Sequence, residues 1–523
     1  MEALTETAAG ARGATAARPR RALVFVGFMG SGKSGAARTV AAELGTAPLD
    51  SDRELERGLD GETLEAFFER EGELAFRARE EEVVLGLLAD RHARVVALGG
   101  GSVLSERVRD ALGEHVVVHL EVDPEDAWHR ASGKGRPLAR DRTRFHQLHA
   151  DRMPLYESLA DVTLPPSDRD TPRRALAAMV ALREASAGTR LVWAMSASGD
   201  YPVFVGRGLL AGGFFHPAQG RRFVVSDENV EALHPLGGER AVTVPAGESE
   251  KTLARAEAVL SALARAGAGA DDLVVALGGG VVGDLAGFCA AVYQRGVRWV
   301  GVPSTLVAQV DSAYGGKTGV DLPEAKNYAG AYHQPSAVLV DPALLDTLPA
   351  PERAAGYAEV VKTALIAGGP LWARVRAGAD PDEEIVMACL RTKLAVVAAD
   401  ERDEGVRQVL NLGHTVGHAI EAATGYARYR HGEAVAIGLL CALTLSGRDA
   451  LRAEVAELLG AHGLPVAFEG ATPDAVIELV ARDKKSRGGR VPFVLVEAPG
   501  RVTPGHAVPD ADLRAAVEEA FAR

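Results

Sequence analysis

The 523-residue sequence has few cysteines, few aromatic residues and no long apolar run. Its three cysteines, Cys289, Cys389 and Cys441, are widely spaced and form no CxxC pair, so neither a disulfide framework nor a thiolate zinc site is indicated. No apolar run approaches the roughly 20 residues of a membrane-spanning helix. We therefore predict a protein of the reduced cytoplasm with no membrane partner.

Positive charge is also in deficit. The sequence has 58 Lys and Arg against 71 Asp and Glu, which gives a formal net charge of -13. Such a charge repels polyanions and argues against nucleic acid as a partner. An anionic small-molecule substrate must then be bound by locally clustered Lys and Arg side chains.

The length predicts more than one domain, because 523 residues exceed what one hydrophobic core usually serves. Residues 1–21 have no apolar stretch of a secretory signal, and Glu2 and Glu6 argue against an organelle transit peptide. We predict a disordered tail there. From residue 22 an apolar strand (22–26), a glycine loop, a helix (36–44) and further strands (95–98 and 116–120) predict an α/β domain with a parallel sheet.

The domain boundaries follow from composition. A closing helix is predicted over 173–184, so the first domain spans 22–185 and residues 186–192 form a linker. Strand signals return at 201–205, 223–225 and 273–277, which predicts a second α/β domain over 193–350. After about residue 350 the pattern favours helices, as in 382–399, and we predict an all-helical domain over 351–523. A ligand site is expected in the cleft between these last two domains.

Residues 27–34 (GFMGSGKS) match the pattern G-x-x-x-x-G-K-[ST] between a predicted strand and a predicted helix. In such a loop the backbone N–H groups converge on phosphate oxygens, the lysine neutralises phosphate charge and the serine hydroxyl binds Mg²⁺. Here those side chains are Lys33 and Ser34. The loop predicts a bound nucleotide and does not identify the phosphate acceptor.

The residues after this loop indicate the acceptor. Asp50 and Asp52 are followed by residues 72–77 (GELAFR), by three glycines at 99–101, and by Arg130, Arg136 and Arg152. With these motifs in this order, the chain resembles shikimate kinase over about residues 20–185. The resemblance implies Mg²⁺- and ATP-dependent phosphorylation of shikimate.

The same resemblance implies a role for each matched residue. Lys33, Asp52 and Arg136 would be catalytic: Asp52 would orient or deprotonate the substrate hydroxyl, and Arg136 would belong to a lid over the phosphates. Ser34 and Asp50 would hold Mg²⁺. The ATP-binding residues would be Gly30, Ser31, Gly32, Lys33, Ser34, Arg130 and Arg136, and the shikimate-binding residues would be Asp52, Arg77, Gly99, Gly100, Gly101 and Arg152.

Simpler structural explanations exist for part of this set. Arg77 and Arg79 lie among several glutamates, so a solvated, salt-bridged helix face explains them as well. Asp50 and Asp52 follow a Pro-Leu pair and could cap the next helix. A nucleoside or gluconate kinase and a non-catalytic nucleotide-binding module are the alternative functions for this half.

The C-terminal half contains a second glycine-rich turn and a set of metal-ligand types. Residues 277–284 (LGGGVVGD) follow an apolar strand, where glycines permit close approach of a pyrophosphate to a helix start; a tight strand–helix turn without ligand is the alternative. His414 and His418 lie four residues apart on one helical face. With His431 and Glu359 they supply nitrogen and oxygen donors for a divalent metal. Spacing alone leaves open which histidines are ligands and which are structural.

From about residue 195 to the end, the chain resembles 3-dehydroquinate synthase. The segments that carry this resemblance are 247–251 (GESEK), 278–284, 303–306 (PSTL), 311–319, 326–327, 359–362 (EVVK), 411–418 (NLGHTVGH), 431–433 (HGE) and 483–485 (DKK). It implies NAD- and metal-dependent conversion of 3-deoxy-D-arabino-heptulosonate 7-phosphate to 3-dehydroquinate and phosphate, with NAD regenerated in each turnover.

This resemblance also implies individual roles. Zn²⁺ or Co²⁺ would be bound by Glu359, His414 and His431, and Lys317 and His418 would be catalytic. NAD would be held by Asp227, Asn229, Glu248, Lys251, Gly279, Gly280, Asp284, Ser304, Thr305, Lys317 and Lys326. The heptulosonate phosphate would be surrounded by Asp311, Lys317, Lys326, Asn327, Lys362, Lys393, Arg407, Asn411, His418 and Lys485 (or Lys484 in its place).

Taken together, the two resemblances imply an α/β chain: a P-loop kinase domain, a Rossmann-like NAD-binding domain and an all-helical metal- and substrate-binding domain. They also imply a homodimer through the C-terminal half. Two positions depart from the synthase pattern, Asp403 where Glu is usual and Tyr314 in a segment of small residues. Alternative functions for this half are another sugar-phosphate cyclase and a metal-dependent polyol dehydrogenase.

Overall fold

A computed structural model of the chain describes residues 22–133, 137–166, 170–215, 220–236, 240–486 and 491–522. The chain forms two compact units. The first comprises the residues up to Leu191 together with Ala211–Phe214, and the second comprises Val192–Leu210 and the residues from Phe215 onward.

The first unit contains a parallel sheet with helices around it. Its strands are β1 (Leu23–Val26), β2 (Leu49–Asp50), β3 (Val95–Ala97), β4 (Val116–Leu120) and β5 (Val162–Leu164), in the order β2-β3-β1-β4-β5. Apart from the short β2, each strand is buried along its whole length, which is typical of a parallel sheet covered on both faces. The predicted parallel sheet is confirmed.

The helices of this unit are α1 (Lys33–Glu43), α2 (Ser51–Arg57), α3 (Leu64–Ala89), α4 (Glu106–Leu112), α5 (Pro124–Ala131), α6 (Arg142–Leu159), α7 (Thr171–Arg174) and α8 (Leu176–Ala181). The single closing helix predicted over 173–184 is instead two short helices and a 3-10 turn. The two helices meet at Ala175, which belongs to neither helix although its φ of -78° and ψ of -10° stay in the right-handed region.

The second unit begins with a larger α/β layer. Its strands are β6 (Arg190–Ala194), β7 (Tyr201–Val205), β8 (Arg222–Asp227), β9 (Arg240–Val244), β10 (Leu273–Gly278), β11 (Arg298–Pro303), the hairpin pair β12 (Lys317–Leu322) and β13 (Ala325–Tyr332), and β14 (Ala337–Val340). The sheet order is β6-β7-β14-β11-β10-β8-β9, parallel from β7 to β9. Strand β6 begins at Arg190, inside the segment predicted as a linker.

Three helices accompany these strands: α9 (Glu228–Leu233), α10 (Leu253–Arg265) and α11 (Gly280–Val292). Helix α11 starts immediately after β10, so the 277–284 glycine segment forms a strand-to-helix turn as predicted. Strands β12 and β13 form a separate antiparallel hairpin outside the main sheet.

The rest of the second unit is mainly helical. It contains α12 (Ala350–Ala367), α13 (Gly369–Arg376), α14 (Glu383–Ala399), α15 (His414–Ala423), α16 (His431–Leu445), α17 (Asp449–Ala461), α18 (Pro473–Ser486) and α19 (Asp510–Glu519). The helical C-terminal domain is confirmed, with one correction to the all-helical prediction. Strands β15 (Phe493–Ala498) and β16 (Arg501–His506) form an antiparallel hairpin, and their signal was a Pro-Gly turn between residues of high β propensity.

Glycines set the spacing of the helices that carry the predicted metal ligands. A methyl group on Gly432 of α16 would overlap the carbonyl of Ala355 in α12. One on Gly438 of α16 would overlap the carbonyl of Gly413, which precedes α15. Helix α16 is buried on nearly all sides, consistent with its apolar sequence. Backbone contact therefore brings the starts of α15 and α16 against α12.

The structure bears on the sequence predictions about membrane-spanning helices and cysteines. No helix in the described parts of the chain is both long enough and apolar enough to cross a membrane. All three cysteines are buried free thiols.

Candidate active sites

The first unit has a cavity of about 1230 Å³ at the carboxyl ends of β1, β2 and β3. Parallel strands bring their carboxyl ends to one edge, and the loops that follow them form the cavity wall. The lining includes every described residue that the sequence assigned to ATP, Mg²⁺ or shikimate: Gly30, Ser31, Gly32, Lys33, Ser34, Asp50, Asp52, Arg77, Gly99, Gly100, Gly101, Arg130 and Arg152.

The phosphate-type loop has the backbone conformation that its glycines permit. Gly30 and Gly32 have φ of 86° and 94°, in the left-handed region, and Gly32 directly precedes α1. The Lys33 ammonium donates to the carbonyl oxygens of Gly27 at 2.8 Å and Phe28 at 3.0 Å. The lysine is thus held within the loop at the start of α1, where the positive end of the helix dipole favours an anion.

The two aspartates have different surroundings. Asp50 caps α2, because its carboxylate accepts a hydrogen bond from the Arg53 N–H at 3.4 Å; the capping explanation therefore holds for Asp50, although it also lines the cavity. A methyl group on Gly99 would lie 2.7 Å from Asp52 Oδ1, so the absence of a side chain at Gly99 gives Asp52 its room.

Arg77 and Arg79, whose roles the sequence left open, have different surroundings. Arg79 pairs with Glu82 on the exposed face of α3. Arg77 points into the cavity, where a methyl group on Gly101 would overlap its guanidinium. Its partner is Glu80, 2.5 Å away, which is buried and also accepts from the Ser102 hydroxyl at 2.9 Å. Glu80 was not predicted as a site residue, and its i+3 spacing from Arg77 was the available signal.

The two other described arginines contact backbone carbonyls of different loops. Arg152 is buried and its guanidinium is 3.5 Å from the Gly100 carbonyl, to which the Tyr156 hydroxyl also donates at 2.5 Å. Burial raises the pKa of Tyr156 to about 12, so it remains a donor. Arg130 is half exposed and reaches the Gly30 carbonyl at 3.4 Å. Arg136 lies outside the described residues.

In the second unit, the predicted metal ligands converge. Glu359 is fully buried on α12, and its Oε1 is 3.5 Å from His414 Nε2 and 3.3 Å from His431 Nε2. The His418 ring is 5.3 Å from His414 and 5.7 Å from His431, centre to centre. The three imidazoles also bring one nitrogen each within 4.8 Å of one another, so geometry permits several ligand sets for one cation.

A buried carboxylate that the sequence analysis missed lies behind these rings. Glu421 Oε2 is 3.4 Å from His431 Nδ1, and Glu421 Oε1 accepts from the Lys326 ammonium at 3.0 Å. Its side chain is 1% exposed. It follows His414 by seven positions, so it shares the helical face of His414 and His418, which was the signal available in the sequence.

A chain of buried charges extends from the same helices. The Asp311 carboxylate contacts the ammonium groups of both Lys362, at 2.5 Å, and Lys393. Lys362 is also 2.7 Å from Glu359 Oε2. Arg407 is buried beside them and donates to the Gly315 carbonyl at 3.1 Å. Lys362 therefore links this group of predicted substrate residues to the predicted metal ligand Glu359.

The predicted NAD residues gather at the carboxyl edge of the larger sheet. Gly279 and Gly280 begin α11, and a methyl group on Gly279 would come within 2.9 Å of Thr305. Ser304 follows β11 and is buried. Asp227 and Asn229 follow β8, which pairs with β10; Asp227 caps α9 and Asn229 is exposed.

One ammonium serves three carboxylates at this edge. Lys251 is 3.0 Å from Glu248, 3.3 Å from Asp284 and 3.9 Å from Asp321. Burial of Asp284 outweighs the effect of Lys251 and raises the pKa of its carboxyl to about 6. Lys326, on β13, is 3.5 Å from the same Glu248.

The remaining predicted residues of the synthase site differ in exposure and in hydrogen-bond partners. Lys317 is half exposed and donates to Asp403 at 2.6 Å, so the shorter Asp still reaches it. Asn327 has φ of 54° and its N–H donates to Asp321. Asn411 is partly buried in the turn before α15. The side chain of Lys485 lies outside the described residues.

Tyr314, the other departure, is a core residue. It is buried, and its hydroxyl donates to the Gln309 carbonyl at 2.6 Å. Burial raises its pKa well above the usual value. It supports the irregular turn (Ala308–Ser312) that carries Asp311.

Comparison with known proteins agrees with this division. Residues 241–355 match the family model for the 3-dehydroquinate synthase N-terminal region, and residues 356–486 match that for its C-terminal region. The 3-dehydroquinate synthase of Halorhodospira halophila (strain DSM 244 / SL1) is 44% identical over 346 residues, which cover 62% of this chain and 97% of the relative. The chain belongs to the 3-dehydroquinate synthase family. Residues 29–182 match the shikimate kinase family model, so this synthase is fused to a kinase domain and combines a phosphotransferase with a synthase.

Two solved structures also match parts of the chain. The 2-epi-5-epi-valiolone synthase ValA from Streptomyces hygroscopicus subsp. jinggangensis 5008, solved with NAD⁺ and Zn²⁺, is 27% identical with a TM-score of 0.57, and the match covers 61% of this chain and 96% of that one. A shikimate kinase from Acinetobacter baumannii, solved with shikimate, is 33% identical with a TM-score of 0.30, and covers 32% of this chain and 96% of that one.

Proposed function

We propose that the kinase unit phosphorylates the 3-hydroxyl of shikimate with ATP. We propose that the synthase unit converts 3-deoxy-D-arabino-heptulosonate 7-phosphate to 3-dehydroquinate and phosphate. The kinase assignment depends on one observation above all: the phosphate loop, Asp52 and two inward-facing arginines line the same cavity. The synthase assignment depends on the convergence of Glu359 with two imidazoles beside a cluster of buried cations.

In the kinase unit, positioning and charge neutralisation suffice for phosphoryl transfer. The start of α1 and Lys33 bind the phosphates, and Ser34 with Asp50 would hold Mg²⁺, which would neutralise phosphate charge. Arg77 and Arg152 bind the shikimate carboxylate. Asp52 orients the acceptor hydroxyl and takes its proton. Arg130 lies beside the loop on the nucleotide side, and Arg136 supplies a further cation over the phosphates.

In the synthase unit, the donor set fits Zn²⁺ or Co²⁺. The Nε2 atoms of His414 and His431 each lie 3.3–3.5 Å from one carboxylate oxygen of Glu359, and such a set leaves positions open for a substrate. When bound, the cation would supply polarisation of a substrate hydroxyl, and NAD would supply a reversible hydride acceptor. The related ValA structure holds NAD⁺ and Zn²⁺, which supports the same pair of cofactors here.

The hydrogen bonds of the three histidines favour His414 and His431 as the ligands. The outer ring nitrogen of His414 faces the Leu412 carbonyl at 3.1 Å, and that of His431 faces Glu421 at 3.4 Å. A metal-bound imidazole needs such an acceptor for its other N–H. His418 makes no side-chain hydrogen bond to the described residues and is exposed. We therefore assign His418, with Lys317, to substrate.

The buried cations suit a substrate that carries both a carboxylate and a phosphate. Lys362 and Lys393 on Asp311, Arg407, and Lys326 with Asn327 supply fixed donors in a protein that is acidic overall. Their position around the metal ligands holds the reacting carbons there. Asn411 and Lys485 complete the proposed substrate set.

NAD would lie across the carboxyl edge of the larger sheet. Its pyrophosphate would approach the start of α11 at Gly279 and Gly280, with Ser304 and Thr305 on the adjacent β11 side. Asp284, Lys251 and Glu248 would face one ribose, and Asp227 with Asn229, after β8, the other end of the cofactor.

Two assays on the purified full-length chain test the proposal. With ATP, Mg²⁺ and shikimate, ADP should form only when shikimate is present. With heptulosonate phosphate, NAD and Zn²⁺, phosphate should be released without net NADH. Stoichiometric NADH would instead indicate a polyol dehydrogenase, and unchanged ADP production with gluconate or a nucleoside in place of shikimate would contradict the kinase assignment.

We also propose a homodimer formed through the synthase unit and a location in the cytoplasm. The three buried free thiols suit a reducing compartment. Sedimentation of the full chain and of a variant that lacks the kinase unit should give the same subunit number. A monomeric full chain would contradict the proposal.

A further inference from the structure

Glu421 is a buried carboxylate between two functional elements. One oxygen faces His431 Nδ1 at 3.4 Å and the other accepts from the Lys326 ammonium at 3.0 Å. Its side chain is 1% exposed, so neither contact is replaced by bulk water. A buried carboxylate without compensating donors is costly, and these two groups are the compensation.

The contact on the other side of the His431 imidazole determines which ring nitrogen must carry the proton. His431 Nε2 faces Glu359 Oε1 at 3.3 Å, on the side where the proposed cation binds. A nitrogen that binds a cation carries no proton, so Nδ1 must carry it and needs an acceptor. Glu421 is that acceptor. His414 has the equivalent arrangement with a backbone carbonyl, which no side-chain substitution removes.

The second contact ties the site to the hairpin of β12 and β13. Lys326 lies on β13, where it also approaches Glu248 at 3.5 Å and stands over the Tyr426 ring at 4.9 Å. Glu421 therefore contacts both His431, a proposed metal ligand, and Lys326, which lies on the strand that also carries Asn327. Movement of the hairpin lysine changes the surroundings of His431 through one carboxylate.

We infer that Glu421 is a positioning residue of the synthase reaction, which fixes the tautomer and orientation of His431 for the divalent cation and holds Lys326 at the substrate. This inference rests on the proposed metal set of Glu359, His414 and His431. Loss of an outer-shell acceptor of this kind typically weakens metal affinity about 10- to 100-fold.

The test measures Zn²⁺ affinity directly, by competition between the metal-free full-length chain and a chromophoric chelator. Glu421→Gln keeps the shape and removes the charge, and we expect the Zn²⁺ dissociation constant to rise at least tenfold. The absorption spectrum of the Co²⁺-loaded variant should also differ from that of the wild type, which a purely structural role does not require. Glu433→Gln is the matched control, because Glu433 lies two residues from His431 but its carboxylate faces Arg430; its affinity should stay within twofold.

The outcomes distinguish a wrong metal set from a wrong role for Glu421. If His431→Ala binds Zn²⁺ as tightly as the wild type, the proposed metal set is wrong. If His431→Ala loses the metal while Glu421→Gln binds within twofold of the wild type and gives the same Co²⁺ spectrum, the inference about Glu421 alone is overturned. Should Glu421→Gln fail to give a native circular dichroism spectrum, Glu421→Asp is measured instead. It keeps the charge and withdraws the oxygens, and affinity within twofold would again overturn the inference.

Discussion

The two sites of this chain differ in the main partners of their cations. In the kinase unit, Lys33 and Arg152 contact backbone carbonyls and line a cavity of about 1230 Å³, while Arg77 pairs with the buried Glu80. In the synthase unit, the cations are buried against carboxylates, as in the Asp311 contacts with Lys362 and Lys393. A carbonyl partner, unlike a carboxylate, carries no net charge that would offset the attraction of a cation for a nucleoside triphosphate. Carboxylate partners instead stabilise an electrostatic network before any ligand enters, and they make each member depend on the others.

The largest expected effect tests whether the two sites work separately. Lys33→Met should lower kinase activity about 10³-fold and leave cyclisation unchanged, since a cation on the transferred phosphate contributes several kcal/mol. His431→Ala should do the reverse by a similar factor, because it removes a proposed metal ligand. Both activities are measured on each purified variant. A loss of both activities in either variant would show that the units are coupled.

The next effect concerns stability. Asp311→Asn leaves Lys362 and Lys393 buried without their shared carboxylate, and we expect the synthase unit to lose about 3 kcal/mol of unfolding free energy. Calorimetry of the full chain should show this as a lowered transition for one unit only. Asp346→Asn is the control, because its pair with Arg207 is more than half exposed and should contribute close to zero. Equal destabilisation by both variants would show that the loss does not come from leaving the buried lysines without their carboxylate.

A smaller effect is expected at the shikimate side of the kinase cavity. Gly101→Ala places a methyl group where the Arg77 guanidinium lies, so the arginine must move. We expect kcat/KM for shikimate to fall about 10- to 100-fold, with KM for ATP nearly unchanged. Gly86→Ala, on the same helix as Arg77 and with nothing within 4 Å of the added methyl, should have no effect. Steady-state kinetics with each substrate varied in turn measures both variants.

The smallest effect is a pH dependence of NAD binding. Burial raises the pKa of the Asp284 carboxyl to about 6, so the group is neutral below that pH and anionic above it. The anion accepts ribose hydroxyls better, and we expect the NAD dissociation constant to be flat above pH 7 and to rise by up to tenfold per unit below pH 6. In Asp284→Asn this slope should disappear. A slope that persists in the variant would assign the titration to another group.

The sequence predicted the local elements of both sites because their signals are local. The apolar run before residue 27, the glycines of the loop and the helix formers after it lie within about twenty residues of one another. The strand-to-helix turn at Gly279 and Gly280 was predictable for the same reason. Parallel β strands then bring such loops to one edge without further information.

Contacts between distant segments were not predictable from one sequence. Glu421 and Lys326 are 95 positions apart, and nothing in either segment indicates the other. Arg77 and Arg79 have equivalent glutamate neighbours in sequence, and only the packing of α3 against the Gly99–Gly101 turn places one in the cavity. The choice between His414, His418 and His431 likewise required the ring environments, which depend on how α12, α15 and α16 pack.

The glycine contacts between these helices have a consequence for changing the metal preference. Because Gly432 packs against the Ala355 backbone and Gly438 against that of Gly413, backbone contact determines the separation of the helices that carry the proposed metal ligands. Substitution of neighbouring apolar side chains would therefore change the distance between these helices little. Selection for a cation of a different radius would therefore act by exchanging the donor groups themselves, not by opening or narrowing the space between them.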